Sequence, residues 1–494
     1  MNHPNPHHAR RWAILAILGI AQLMVVLDAT IVNIALPSAQ KALHFSNDNR
    51  QWIVTAYSLA FGSLLLLGGK ISDLFGRKWT FIAGLAGFAV ASAVGGAAQS
   101  FGMLTAARTL QGAFGALLAP AALSLLTTTF TETRERNKAF GIYGAIAGSG
   151  ASVGLLLGGV LTQTLNWRFS MYVNLLFAIV AVAGAAVLLH NVRPAEKPRI
   201  DLPGTVTVSA GLFALVYGFN HAETTSWANS LTVAVLAAGV LLLGAFVWLE
   251  RRSTHPLLPL RVVTDRNRAG AFVSMLLAAA AMFGVFLFLT YYLQQNLGYT
   301  PIQTGLAFLP MTAVIMVVAV VATTRLRGRL GPRVLVSAGM LCGAAGMLLL
   351  TGIGVSSSYA SDILPGLLVM GVGLGLIFST AMNSATLGVR ATDAGVASAT
   401  VNASQQVGGS LGIALLSTLA ASAATSYVSG SRPTPGLIAH AAVHGYTTAF
   451  AVSAAIFALG AVVGGLLFER RAAEAEHSAP AGQADPAADR IMVA

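Results

Sequence analysis

The feature that most constrains this chain is repetition. Fourteen largely apolar runs, most of 20 residues or more, follow one another from 12–36 to 443–467. A helix needs roughly 20 such residues to cross the hydrocarbon core of a bilayer, and inside that core each backbone polar group must be satisfied within the segment. Only 9% of the residues are charged, against about 25% in soluble domains. The pattern predicts an all-α integral membrane protein with fourteen spans. The first run follows "HHARR", which resembles the charged start of a cleavable signal. Its length and the thirteen runs behind it make it a retained anchor instead.

The net charge of +12 would suggest nucleic acid on a soluble domain. Here it has a topological origin. Leaving aside Arg108, which falls within the fourth run, the odd-even alternation of spans puts 24 basic residues on the side of the termini. Only Lys41, Arg50, Arg168 and Arg432 fall on the other side. Cytoplasmic loops carry the excess of Lys and Arg, so both termini are expected in the cytoplasm and no nucleic-acid partner is expected. The single cysteine, Cys342, excludes an intramolecular disulfide and a cysteine-cluster metal site.

Three polar stretches, 191–201, 250–268 and 469–490, interrupt otherwise short loops. They divide the chain into a tail (1–11), a six-helix half (12–190), a linker carrying two additional spans (191–267), a second six-helix half (268–468) and a disordered cytoplasmic tail (469–494). A weak internal repeat supports the two halves. "TRLRGRLGPR" (324–333) holds the place after span ten that "GKISDLFGRK" (69–78) holds after span two, matching Gly331 to Gly76, with Gly328 in place of Asp73. Repeats of this kind are common in secondary transporters, whose halves rock about a midplane site.

On these stretches the chain resembles the major facilitator superfamily. "GGKISDLFGRK" is similar to its signature loop, and "LDATIVNIALP" to the first-helix motif of its fourteen-helix drug:proton antiporter branch. "LTAARTLQGAFGA" (104–116) resembles the fourth-helix motif and "GASVGLLLGG" (150–159) the fifth-helix antiporter motif. The resemblance implies a twelve-helix core with two extra helices between its halves, and proton-coupled export of drug-like molecules. Its antiporter pattern has proline after the middle glycine, where this chain has Leu155; without the ring the fifth helix is expected to lose a kink.

Of seventeen acidic residues, only Asp28 lies well inside a run. A carboxylate at that depth costs about 2.5–3.5 kcal/mol on insertion scales and persists where it faces a cavity or a partner. Desolvation disfavours its anion, which suits Asp28 to taking up and releasing a proton. Its expected partner is Arg108, at a comparable depth by helical rise. The alternative is a fixed ion pair that only locks packing, a costly arrangement in this medium.

The signature loop offers Gly69 and Gly76 for a tight turn and Asp73 to cap a helix or meet Arg77 and Lys78. The resemblance implies a cytoplasmic latch that favours one access state. Gly150, Gly154 and Gly158, at intervals of four, with Gly159 beside them, form a close-packing face. Asn33, Trp52, Tyr57, Tyr292, Asn402 and Gln406 are candidates for an aromatic and amide-lined cavity for a small amphipathic substrate.

No G-x-x-x-x-G-K-[ST] loop occurs, which argues against ATP-driven transport. The expected driving force is the proton gradient, with no cofactor and no metal. A second buried acid or metal-ligand cluster is also lacking, so an enzyme is not expected. The expectation is a monomeric exporter in a bacterial cell membrane. The rival reading is proton-coupled transport, including symport, of an amino acid, siderophore or other endogenous metabolite.

Overall fold

A computed structural model of the protein describes residues 6–45, 47–190, 201–253, 256–390, 393–429 and 434–469. Among them there is helix and no strand. The first six helices are α1 (Pro6–Leu43), α2 (Asn47–Phe75), α3 (Arg77–Gly96), α4 (Phe101–Thr129), α5 (Thr133–Thr164) and α6 (Phe169–Leu188). The hairpin α7 (Leu202–Thr224) and α8 (Ser230–Arg252) follows, then the short α9 (Leu260–Thr264). The remainder is α10 (Arg266–Gly284), α11 (Pro301–Val321), α12 (Arg327–Leu350), α13 (Leu364–Thr386), α14 (Ala394–Val428) and α15 (Pro435–Leu467). Residues Pro6 to Arg11 of the expected tail 1–11 are helical, forming the start of α1. Residues 470–494 of the expected disordered tail lie outside the described residues.

Among the described residues twelve helices are long and apolar enough to cross a membrane, or thirteen with the bent α5. This is one short of the expected fourteen, and the difference lies in a single 49-residue run, Ile302–Leu350. The packing resolves that run into two antiparallel pieces. Gly371 and Gly375 of α13 stand against Met311 and Ile315, so α11 runs in the same sense as α13. Gly373 and Gly366 of α13 face Gly339 and Gly346, so α12 runs in the opposite sense. The reversal occurs at Gly331, whose φ of 70° and ψ of 165° are non-helical. Glycine adopts this left-handed region without a Cβ penalty. Gly76, between α2 and α3, has φ 93°. The two glycines paired by the internal repeat therefore make equivalent turns.

Close contacts between the early and late helices are built on glycine. Gly141 and Gly148 of α5 stand against Ala319 and Ile315 of α11, and Gly144 against Ser379 of α13. Gly305 of α11 meets the backbone of Leu156 further along α5. On α2, Gly62 meets Gln406 and Gly69 meets Gly395 of α14. Small residues let helix backbones approach closely where lipid provides no hydrophobic drive for association.

Candidate functional site

Asp28 sits on α1 with none of its surface exposed, and Arg108 on α4 is 1% exposed. The structure brings them together: Arg108 Nη1 donates to Asp28 Oδ2 at 2.6 Å. The helices around them saturate the carboxylate. Gln111, one turn beyond Arg108, donates through Nε2 to Asp28 Oδ1 at 3.1 Å, while its Oε1 accepts from Arg108 Nη1 at 2.9 Å. Asn174 of α6 donates to Asp28 Oδ1 at 2.7 Å. Ser92 of α3 accepts from Gln111 at 2.7 Å and from Asn174 at 3.3 Å. The Arg108 guanidinium also lies 4.3 Å from the centroid of the Tyr57 ring, a cation–π contact that gains strength when desolvated. A buried ion pair offsets its desolvation only as far as further hydrogen bonds satisfy its remaining atoms; Gln111 of α4 and Asn174 of α6 supply them to the carboxylate, while Arg108 Nε has no hydrogen-bond partner.

Gln111, Asn174 and Ser92 were not singled out from the sequence. The available signals were the three-residue spacing of Arg108 and Gln111 and the lone amide of α6 within "MYVNLLFAIVAVAG". Neither carries a charge, and neutral polar residues in membrane helices commonly hydrogen-bond between helices without further role.

The glycine face of α5 packs directly behind this site. Gly150 stands against Val26, Gly154 against Leu27 and Thr30, and Gly158 against Ile31, all on α1. Gly159 is buried beside them. The expectation of a missing kink is corrected: the stretches Thr133–Gly148 and Val153–Thr164 of α5 are inclined by 45°. The bend falls where the sequence reads Gly148-Ser149-Gly150, and Gly/Ser pairs bend helices without proline.

At the end of the bundle where α2 turns into α3, the signature loop differs from its expected geometry in two respects. Gly69 lies inside α2 rather than in a turn; its bare backbone allows the approach of Gly395. Asp73 does not cap α3, since the residue preceding that helix is Gly76 and no side chain caps there; its carboxylate is set against the Gly395 backbone at the start of α14. The Asp73 carboxylate instead accepts from Arg77 Nη2 at 3.4 Å and faces Gly395, where a Cβ would stand 2.6 Å from Oδ2. It is thus an anion set against the first turn of α14, where the helix dipole is positive. Lys78 turns away, donating to the Ala186 carbonyl of α6 at 2.8 Å.

A second contact at this end was also missed. Arg136 of α5, 7% exposed, donates to Asn383 Oδ1 at 3.1 Å and Thr386 Oγ1 at 2.9 Å on α13.

The candidate substrate residues have the following surroundings. Tyr57 is buried beneath Arg108 and stacks on Phe61 with centroids 5.6 Å apart. Trp52 is exposed and stands 6.4 Å from Tyr217 of α7. Tyr292 is buried, its hydroxyl bound to the Gly354 carbonyl at 2.6 Å. Asn402 donates to Ser398 of its own helix at 2.9 Å, while Gln406 reaches Gly62 of α2. The side chain of Asn33 lies outside the described residues. Among the described residues no group of His, Cys, Asp and Glu is arranged to hold a metal ion.

Membrane-length helices that meet across glycine-lined faces, around a carboxylate–guanidinium pair held entirely out of water, define a multi-pass membrane transporter. The profile of the Major Facilitator Superfamily matches residues 18–413. The chain belongs to that superfamily. It is 47% identical over 480 residues to the puromycin resistance protein pur8 of Streptomyces alboniger, spanning 97% of this chain and 95% of that one. It is 38% identical to the cephamycin export protein CmcT of Amycolatopsis lactamdurans, over 83% of this chain and 85% of that one. It is 36% identical to the tetracenomycin C resistance and export protein of Streptomyces glaucescens, over 84% and 76%. The crystal structure of the human organic anion transporter MFSD10 (TETRAN) superposes with a TM-score of 0.64 at 16% identity, covering 93% of this chain and all of that one. That last likeness concerns the fold.

Proposed function

We propose that this protein exports antibiotic or drug-like small molecules in exchange for protons, by alternating access, with Asp28 and Arg108 as the proton-coupling pair. The observation that carries the reading is the burial of that pair. Among the acids of the sequence, Asp28 alone lies deep within a span, and its carboxylate is held by Arg108, Gln111 and Asn174, of which the ion pair with Arg108 would be lost on protonation. The relatives named for antibiotic resistance and export supply the substrate class. With the termini in the cytoplasm, as the distribution of Arg and Lys argues, the contacts of Asp73 with α14 and of Arg136 with α13 act as latches that seal the cytoplasmic end. The drug enters when these latches part, the halves rock, and protonation of Asp28 from outside favours release. Loss of the proton to the cytoplasm resets the site. The protein works as a monomer in the bilayer, needs no cofactor and catalyses no chemical conversion.

The test uses inside-out vesicles acidified within and a panel of puromycin, a cephamycin and tetracenomycin C. Uptake of at least one compound, abolished by a protonophore and lost in Asp28→Asn, is the expected result. Gradient-driven uptake that persists in Asp28→Asn, or movement of drug in the same direction as the proton, would overturn the reading.

A further inference from the structure

The cluster around Asp28 contains two atoms whose bonding is incomplete, Arg108 Nε and Asn174 Oδ1, and only the second belongs to a neutral group that touches the carboxylate. Asn174 has no exposed surface, its Nδ2 donates to Asp28 Oδ1 and Ser92 Oγ, and its Oδ1 has no hydrogen-bond partner. Buried polar atoms are nearly always paired, so an orphaned acceptor on the amide that touches a titratable carboxylate calls for an explanation. Gln111 provides the contrast: its nitrogen and its oxygen are both engaged, on Asp28 and Arg108 respectively.

We propose that Asn174 is a positioning residue for the proton on Asp28, its carboxamide serving both protonation states of that carboxyl. This rests on the proton-coupled reading above. In the present arrangement Nδ2 donates to the anion. When a proton from water bonds to Asp28 Oδ1, the ion pair with Arg108 is lost and the guanidinium stays on Gln111 Oε1. The carboxamide then turns by about 180°, which exchanges nitrogen and oxygen in the same envelope, and Oδ1 accepts the new carboxyl proton. Ser92 follows, because a hydroxyl donates as readily as it accepts. The charged or titratable groups facing Asp28 are Arg108 from α4 and Tyr57 from α2; α3 and α6 present Ser92 and Asn174, and Gly154 of α5 stands against the neighbouring Leu27 and Thr30, none of which titrates.

The experiment is infrared difference spectroscopy of the purified full-length protein in lipid, titrated with pH and without substrate. The protonated carboxyl band of Asp28 is the one absent from Asp28→Asn. In Asn174→Leu that band is expected to move to the frequency of a carboxyl without a hydrogen-bonded proton. Its midpoint is expected to rise, because the anion loses a charge-assisted bond and the acid only a neutral one. Asn174→Ser, which keeps a donor and an acceptor, should show the smaller change of both and serves if the leucine variant does not fold. A band of unchanged frequency and midpoint in the folded variants overturns the role of Asn174 alone. Absence of any band removed by Asp28→Asn overturns the proton reading with it.

Discussion

Gly69 of α2 and Gly395 of α14 pack backbone against backbone: a Cβ on Gly69 would stand 2.7 Å from the Gly395 carbonyl oxygen and 2.8 Å from the Ala399 Cβ. The neighbours are main chain and a methyl group, so no flexible side chain can move aside. Gly69→Val is expected to force α2 and α14 apart at the latch end, at about 1–3 kcal/mol for an overpacked contact. The cost falls only on the arrangement in which these helices touch, so the population shifts toward the arrangement open at that end. Accessibility of a cysteine introduced near the turn between α2 and α3 should rise while the helix content is unchanged.

The Asp28–Arg108 pair predicts an asymmetry between its two deletions. Arginine keeps its charge at every accessible pH, whereas a carboxyl without a partner can take up a proton. In Arg108→Gln the remaining Asp28 is tolerated at low pH as a neutral acid and becomes an uncompensated buried anion as pH rises. Breaking a buried pair costs about 3–5 kcal/mol, so the stability deficit of Arg108→Gln relative to wild type should grow with pH toward that value. In Asp28→Asn there is no carboxyl left at this site, and its deficit should be flat. Thermal unfolding of the detergent-solubilised variants between pH 5 and pH 8 distinguishes the two.

The sequence carried the elements whose signals are large in energy. A lone acid in a long apolar run, the fourteen runs themselves and the two glycines at the repeated turns were all legible, and Gly76 and Gly331 do take positive φ. The partners of Asp28 were not, because Gln111, Asn174 and Ser92 are neutral and their contribution depends on which helices adjoin. Arg136 was read with its neighbours as topology charge, a signal that masks individual contacts. Trp52 shows a different limit: an aromatic near a span end has no sequence signature that separates a cavity from packing on α7, where Tyr217 stands 6.4 Å away. The bend of α5 was misread because proline was treated as its cause, when Gly148, Ser149 and Gly150 lie at the break.

Gly154 links the α5 face to the proton site. A Cβ at this position would lie 3.0 Å from the carbonyl oxygen of Leu27 and 3.2 Å from its Cα, and Leu27 is the residue before Asp28. Gly154→Ala is expected to destabilise the α1–α5 contact by about 1–3 kcal/mol and to displace the segment that carries the carboxylate. Gly102, which has open space around it, is the control: Gly102→Ala should be neutral or slightly stabilising as a helix substitution. Chemical denaturation of the two variants checks the difference.

Arg136 predicts that geometry as well as charge holds the second latch. Its Nε and Nη2 bind Asn383 and Thr386, Nη1 lies 3.4 Å from the Thr127 carbonyl, and the guanidinium carbon stands 4.8 Å from the Phe140 ring centroid. A planar fork can make these contacts together, whereas the point charge of a lysine on a flexible stem cannot. Arg136→Lys should therefore lose most of what Arg136→Ala loses, about 1.5–3 kcal/mol for hydrogen bonds to a charged group. Asn383 is fully buried and also donates to Asn137 Oδ1 at 2.7 Å, so it keeps one bond when the arginine is gone and the protein should still fold. The loss belongs to the arrangement in which α5 and α13 touch at this end. The rate at which a cysteine pair placed across α5 and α13 forms a disulfide should fall in both variants, and a normal rate in Arg136→Lys would show that charge alone suffices.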